Sequence, residues 1–224
     1  MGGVVERAVL EGEVVRLEPL DPAHVDALVV AAAEDRTHYG FIRVPGDAAS
    51  MRAYVDAALT DERAGSALPF AARLVATARV VGTTRFLDLD YWTIPPGWPP
   101  GRPEATALGD PSAVEIGGTW LAASAQRTAA ISEAKLLMLT HAFDRWAVTR
   151  VSFKTDARNT RSRRALERLG ATFEGVRRAH TLAVDGSIRD SAYFSIPRSE
   201  WPDLRERLCR RLGADRGATA SGPP

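Results

Sequence analysis

Two segments of this chain place polar donors between the end of a predicted strand and the start of a predicted helix. The first runs from Ala122 to Ser132 and reads Ala-Ala-Ser-Ala-Gln-Arg-Thr-Ala-Ala-Ile-Ser. The first N–H groups of a helix have no intrahelical acceptor and the helix dipole is positive there, so such a junction can bind an anion. Further side-chain donors come from Gln126, Arg127, Thr128 and Ser132. The segment lacks the glycine patterns of Walker and dinucleotide-binding loops.

The second segment is Thr-Asp-Ala-Arg-Asn-Thr-Arg-Ser, from 155 to 162. Asn159 is predicted at the turn, Ser162 in the first helical turn, and Gly170 at the C-cap of the helix. Residues 150–178 hold nine basic and three acidic side chains. This stretch either complements phosphate groups, with Arg164 as the preferred contact, or forms a solvated face.

Four residues are rare enough for their positions to carry information. The chain has two lysines, Lys135 and Lys154, one glutamine, Gln126, and one asparagine, Asn159. A GC-rich codon preference explains the scarcity of these residue types. The sole glutamine and the sole asparagine nevertheless both fall in the two segments above.

The elements that must position these residues follow from the hydrophobic pattern. Helices are predicted at 23–33, 48–62, 132–147, 160–169 and 199–212, and strands at 13–18, 69–77, 79–89, 114–121, 150–155, 172–183 and 187–196. The strand–helix–strand run over 113–155 implies a parallel crossover, and the hairpins imply antiparallel pairs. The sequence therefore predicts an α/β fold with a mixed sheet.

Length and composition limit the class of protein. The 224 residues suffice for one sizeable core, predicted over 1–212, with a disordered tail over 213–224. A net charge of +1 gives no overall electrostatic attraction for nucleic acid, and no apolar run is long enough to span a bilayer.

The single cysteine, Cys209, excludes an intramolecular disulfide and favours a cytoplasmic protein without a metal site. The segment 91–112, rich in proline and tryptophan, is predicted to be a loop, either a functional one or a surface insertion.

The combined pattern resembles the GNAT (Gcn5-related) N-acetyltransferases, particularly their RimJ/RimL-like branch. The resemblance covers about residues 10–198 and rests on Asp-x-x-Asn-x-x-Ser at 156–162 and on further motifs at 17–20, 81–85, 115–117, 126–128 and 133–135. It implies the GNAT fold, a mostly antiparallel sheet flanked by helices. In this fold, the strands at 113–121 and 150–155 splay apart and acetyl-CoA enters between them.

The resemblance also implies the cofactor contacts. The backbone of Trp120, Leu121 and Ala122 is expected to bind the pantetheine arm, and residues 126–132 the pyrophosphate, including Ala129, Ala130 and Ile131. Asn159 and Ser162 are expected to face the pantetheine and its sulfur end. Two departures from the family pattern stand out. Alanine and isoleucine replace the glycines of the usual pyrophosphate loop at Ala129 and Ile131, and Leu166 replaces a tyrosine general acid.

Acetyl transfer to an amine needs a base, because a primary ammonium has a pKa of about 8 to 10. Glu115 is the favoured base, and alternation along the strand predicts that it shares a face with Gly117 and Thr119. His180 is the rival base. Ser162 is the remaining candidate for the acid, and a thiol with a pKa of about 8.5 needs only modest help to leave.

The acceptor side is predicted from the same arrangement. Residues expected to line it are His38, Tyr39, Arg85, Glu115, Gly117 and His180. A protein N-terminus or a small aminoacyl or drug-like amine would fit the resemblance, which is also compatible with a homodimer. His141 is predicted to be structural.

Two other functions are alternatives to an N-acetyltransferase. A non-catalytic acyl-CoA-binding protein would explain Ala129, Ile131 and Leu166. A nucleic-acid-binding module would use the basic helix at 158–168, but that helix has no aromatic residue on which a base could stack. The leading hypothesis remains an acetyl-CoA-dependent N-acetyltransferase.

Overall fold

The computed structural model describes residues 5–92 and 110–220. Eight strands form one continuous sheet in the order β1-β2-β3-β4-β5-β6-β8-β7. Their bounds are β1 Leu10–Glu11, β2 Val15–Pro19, β3 Ala67–Leu74, β4 Val80–Asp90, β5 Ala113–Leu121, β6 Arg150–Asp156, β7 Thr172–Leu182 and β8 Ile188–Pro197. The β5–β6 pair is parallel and the other pairs are antiparallel. The predicted mixed, mostly antiparallel sheet is therefore confirmed, with β1 as an additional short strand.

Five α-helices surround the sheet: α1 Val25–Ala33, α2 Ala48–Arg63, α3 Ala129–Thr140, α4 Thr160–Leu169 and α5 Trp201–Ala220. Local chemistry fixes several ends. The Asp47 side chain accepts a hydrogen bond from the Ser50 N–H at the start of α2, and Gly170 closes α4 with a φ of 104°. Helix α5 continues to Ala220, past Gly213, where the tail is predicted to begin.

Helix α3 begins three residues earlier than predicted, at Ala129, because Thr128 acts as its N-cap. After Thr140 the chain makes one wider π-type turn, His141–Arg145. Leu139, Phe143 and Trp146 of this segment are buried in the core. Phe143 stacks on Trp201, which joins the end of this helical segment to α5.

A buried carboxylate fixes α3 to the β1–β2 hairpin. Glu133 accepts hydrogen bonds from the backbone N–H groups of Glu13, Val14 and Val15 at 3.1, 2.7 and 2.7 Å. A side chain at Gly12 would collide with this carboxylate. These contacts attach the N-terminal part of α3 to the hairpin.

Strands β5 and β6 pair only at their beginnings. Their register runs through Ala113–Arg150, Val114–Val151 and Glu115–Ser152 and then stops. Beyond this point β5 continues to Leu121 beside β4, and β6 continues to Asp156 beside β8. Each strand thus keeps its outer neighbour and loses its inner one, and the sheet opens into the predicted splay.

A bulge in β5 changes the face on which its later side chains lie. The β4–β5 register shifts between Thr83 and Arg85, and Gly118 has a φ of 56°. Thr119 therefore lies on the α3 side of the sheet, where its Oγ1 is 3.0 Å from the Nζ of Lys135. The prediction that Thr119 shares a face with Glu115 and Gly117 is wrong for this reason.

Within the described residues, no helix combines the length and the apolar character needed to cross a membrane.

Candidate functional site

The opening between β5 and β6 is bordered by two helix N-termini. Helix α3 starts after the end of β5, and α4 starts after the end of β6. The side chains of these two borders and of the strands beside them form the candidate site, which we call the cleft.

At the α3 border, Thr128 orders the helix start. Its Oγ1 accepts from the Ala130 N–H at 3.2 Å and donates to the Ala125 carbonyl at 2.8 Å. Arg127 just before it is exposed and has a φ of 59°. Ala130 is fully buried, whereas Ala129, Ile131 and Ser132 are partly exposed. The remaining first-turn N–H groups lack intrahelical acceptors, as an anion site requires.

Gln126 joins the two borders of the cleft. Its Nε2 donates to the Leu121 carbonyl at 2.8 Å, and its Oε1 accepts from Arg161 of α4 at 2.9 Å. Both ends of the amide are therefore engaged within the protein. These contacts position the Gln126 side chain between the two borders, and its contact with the pyrophosphate stays a prediction.

The backbone at the end of β5 is also largely engaged. The Leu121 carbonyl accepts from Gln126 and from the hydroxyl of Tyr39, the latter at 3.2 Å. The Ala122 N–H donates to Val81 at 2.7 Å, and its carbonyl accepts from Ala125 and Gln126. The predicted contact of a pantetheine arm with the backbone of Trp120, Leu121 and Ala122 stays a prediction, and the Leu121 carbonyl and both backbone groups of Ala122 already have partners within the protein.

At the α4 border, Asn159 is the N-cap, and its side-chain oxygen accepts from the Ser162 N–H at 3.0 Å. Among the described residues, neither the Asn159 side-chain NH₂ nor the Ser162 hydroxyl has a hydrogen-bond partner. Leu166 is buried in the core, so it leaves the position of a tyrosine acid without a proton donor. Arg164 is exposed, whereas Arg158 is held by ion pairs to Asp156 and Asp185.

Glu115 is a buried carboxylate at the last β5–β6 register pair, with 3% of its surface exposed. Its Oε2 lies 3.1 Å from the Nζ of Lys154, which also contacts Asp88 at 3.1 Å. Burial raises the pKa of Glu115, and the Lys154 cation opposes that rise. A Cβ at Gly117 would lie 2.8 Å from Glu115 Oε1, so glycine leaves room for the carboxylate.

His180 lies in a second polar group on the β7–β8 hairpin. Its Nδ1 is 2.9 Å from the Ser191 Oγ, and its Nε2 is 3.3 Å from the Tyr193 hydroxyl. Tyr193 is the register partner of Lys154, which places the two candidate bases on the same face of the sheet. Desolvation and the Arg177, Lys154 and Arg189 cations lower the pKa of His180. A neutral imidazole able to accept a proton is thereby favoured.

The predicted acceptor residues do not all come together. Tyr39 is buried and its ring meets the Trp120 ring edge-on at 6.0 Å, whereas His38 is exposed and its Nε2 lies 4.0 Å from the Asp35 carboxylate. Arg85 lies 4.9 Å from the centroid of the Tyr54 ring and beside Gly118. His141 packs among aromatic rings, as predicted for a structural residue. Most of the predicted loop 91–112 lies outside the described residues.

Sequence reasoning missed Lys135, Lys154 and Tyr193 as members of the site. The two lysines could have been found by the same criterion that drew attention to Gln126 and Asn159, because the chain contains no others. Tyr193 gives no comparable signal, since its place beside Lys154 depends on the β6–β8 register.

Comparisons with known proteins agree with this architecture. The family described as "Acetyltransferase (GNAT) domain" matches residues 15–172, and the chain therefore belongs to the GNAT acetyltransferases. A GCN5-related N-acetyltransferase from Brucella melitensis is 29% identical, with a TM-score of 0.77 over 93% of this chain and 87% of that chain. No curated protein matches the sequence.

Two further solved structures share the fold. Mycobacterium smegmatis RimJ, in complex with CoA-disulfide, is 22% identical, with a TM-score of 0.70 over 92% of both chains. RimL, a ribosomal L7/L12 α-N-protein acetyltransferase in complex with coenzyme A, is 17% identical. Its TM-score is 0.65 over 85% of this chain and 98% of that chain.

As a GNAT acetyltransferase the protein uses acetyl-CoA. The cleft fits this cofactor, because β5 and β6 lose their mutual pairing beyond Glu115–Ser152. Within the part of the chain that the structure describes, donors without acceptors lie at its two helical borders, at the α3 N-terminus and on Asn159 and Ser162. No group of three or more metal-ligating side chains occurs among the described residues.

Proposed function

We propose that the protein transfers acetyl from acetyl-CoA to a primary amine that binds on the Glu115 face of the cleft. One observation carries this proposal. A buried carboxylate with a raised pKa lies where β5 and β6 separate, next to a glycine that leaves it room. A carboxylate of raised pKa is a stronger base than an ordinary glutamate, as removal of a proton from an ammonium requires.

The cofactor would be held by both borders of the cleft. The first turn of α3, with Arg127, Thr128 and Ser132, would bind the pyrophosphate, and Arg164 is an exposed cation available to a phosphate group. Asn159 and Ser162 would face the arm with donors that have no protein acceptor. Bound there, acetyl-CoA supplies the acetyl group and a thiol leaving group.

Glu115 would accept the proton of the incoming ammonium, directly or through a water molecule. Lys154 keeps the carboxylate oriented and favours its charged form. The hydroxyl of Ser162 is the donor left at the α4 border, because Leu166 cannot protonate a leaving thiol. His180, with Tyr193 and Ser191, is the alternative base on the same face.

The acceptor is either a protein α-amine or a small aminoacyl or drug-like amine. The fold shared with RimL, which acts on a ribosomal-protein N-terminus, supports the first class. An α-amine also has the lower pKa, about 8, so less free energy is needed to obtain its neutral form. We further propose a cytoplasmic location, consistent with a free exposed cysteine.

An amine-panel assay that detects free thiol tests this function. The panel contains peptides with free N-termini, the same peptides with acetylated N-termini, and small primary amines. We expect thiol release that requires both acetyl-CoA and a free amine. Tight acetyl-CoA binding without turnover on any amine would instead indicate an acyl-CoA-binding protein.

A further inference from the structure

Lys135 lies where the two diverging strands separate, on the α3 side of the sheet. Its Nζ donates to Thr119 Oγ1 at 3.0 Å and lies 5.7 Å from the centroid of the Phe153 ring. Thr119 belongs to β5 and Phe153 to β6, and both follow the last register pair of those strands. The Lys135 side-chain amine therefore borders the cleft on the α3 face of the sheet, which is the face opposite Glu115.

Lys135 is partly buried, and its surroundings do not compensate the desolvation of a cation. An ammonium has three donors, and Thr119 is its only hydrogen-bond acceptor among the described residues. Within the same residues, no carboxylate lies within ion-pair distance of Lys135. Burial accordingly lowers the pKa of Lys135 to about 7, although the Glu115 charge opposes this effect.

The other lysine of the chain shows the contrast. Lys154 contacts the carboxylates of Glu115 and Asp88, each at 3.1 Å, and these contacts raise its pKa in spite of burial. The two ion pairs explain the position of Lys154. Among the described residues Lys135 has one acceptor for three donors, and a polar group that leaves water costs free energy unless a partner satisfies it.

We infer that the Nζ of Lys135 donates a hydrogen bond to a carbonyl oxygen in the arm of acetyl-CoA, either a pantetheine amide or the thioester. The inference rests on the proposed cofactor position between β5 and β6. The arm carries carbonyl acceptors and no anionic group, which matches a lone donor beside a hydroxyl and an aromatic ring. The nucleotide end of the cofactor lies elsewhere in this arrangement, at the α3 N-terminus.

The alternative is that Lys135 only supports Thr119. The two roles differ in which ligand they affect. A contact with the arm contributes to the affinity for coenzyme A and does not affect the affinity for a nucleotide that lacks the arm. A supporting role acts through Thr119 or through α3 and is reproduced when Thr119 loses its hydroxyl.

Isothermal titration calorimetry with coenzyme A and with 3′-phospho-ADP separates the two roles. Replacing Lys135 by Met, which has a similar length and no charge, should weaken coenzyme A binding by about 10-fold or more. The affinity for 3′-phospho-ADP should stay within about 2-fold of the parent value, because this ligand lacks the arm and distant sites contribute nearly independently. Thr119→Val is the matched control and should bind coenzyme A nearly as the parent does. Lys135→Arg should retain part of the lost affinity and serves as a second variant if Lys135→Met unfolds.

Three results would overturn the inference. These are parent-like coenzyme A binding by Lys135→Met, an equal loss for both ligands, or the same loss in Thr119→Val. A parent protein that binds neither ligand would instead contradict the cofactor site itself.

Discussion

Glu115 and Lys154 form an ion pair whose two members differ in their exposure to solvent. Glu115 is 3% exposed, while Lys154 is partly exposed and shares its charge with Asp88. Desolvation raises the pKa of Glu115 and the Lys154 cation holds it back. The proton affinity of the proposed base therefore depends on burial and, in addition, on a residue that need not touch the substrate.

The pH dependence of activity should reveal this control. In Lys154→Met, the carboxylate loses the charge that favours its ionised form, so its pKa should rise further. The acid limb of kcat/KM should then move to higher pH by about 1 unit or more. Lys154→Arg keeps the positive charge and should leave the limb near its parent position. An unshifted limb in Lys154→Met would show that the group titrating there is not Glu115.

His180 remains the rival base at the residue scale. Its contacts with Ser191 and Tyr193 orient the ring, and its lowered pKa favours the neutral form at neutral pH. Both features are compatible with proton acceptance. They are equally compatible with a ring that only completes the β7–β8 hairpin.

At the scale of elements, the bulge at Gly118 assigns side chains to the two faces of the cleft. Glu115 and Gly117 precede it and face the proposed acceptor side. Thr119 follows it and meets Lys135 on the α3 side. A regular strand would place Thr119 on the same face as Glu115. The left-handed backbone conformation of Gly118 instead places Thr119 on the α3 face, away from the proposed acceptor site.

Substitution of this glycine should therefore be costly. A Cβ at Gly118 would lie 2.8 Å from the Arg85 Nε in a backbone conformation with a φ of 56°. We expect Gly118→Ala to lower the free energy of unfolding by about 1–3 kcal/mol, measured by urea denaturation. Gly213→Ala is the comparison, because it adds a methyl group in open space within α5. That variant should be stabilised by about 0.5–1 kcal/mol, and similar effects in the two variants would contradict the strain at Gly118.

The sequence predicts most elements but not their irregularities. Hydrophobic period and capping residues place α4 at Thr160–Leu169, because Asn159 and Gly170 mark its two ends. The bulge at Gly118 and the π-type turn after Thr140 depend on packing against neighbouring elements. Periodicity in one segment contains no information on those contacts.

At the scale of the whole molecule, the cleft forms because β5 and β6 each keep an outer partner. Strand β4 follows β5 to its end and β8 follows β6, so the two halves of the sheet stay ordered as they diverge. Gln126 then bridges the far side of the opening through Leu121 and Arg161. The cofactor loops at α3 and α4 are thereby linked.

Glu115, Asn159 and Ser162 lie at the cleft because strand ends and helix starts place them there, and their roles stay predictions. The contact of Lys135 with Thr119 could not be predicted, because it depends on the bulge in β5. The place of Tyr193 beside Lys154 could not be predicted either, because it depends on the β6–β8 register. Membership in the GNAT family was reached from motifs that lie mostly on the cleft borders.

The pH–rate profile of Glu115→Gln, measured beside the parent and His180→Ala, tests the central claim most directly. Loss of a general base typically costs about 10²–10⁴-fold, so kcat of Glu115→Gln should fall by that factor at neutral pH. Much of the loss should be recovered at high pH, where neutral amine is abundant, while His180→Ala keeps a profile close to the parent. A parent-like profile for Glu115→Gln together with an inactive His180→Ala enzyme would contradict the account and assign the base to His180.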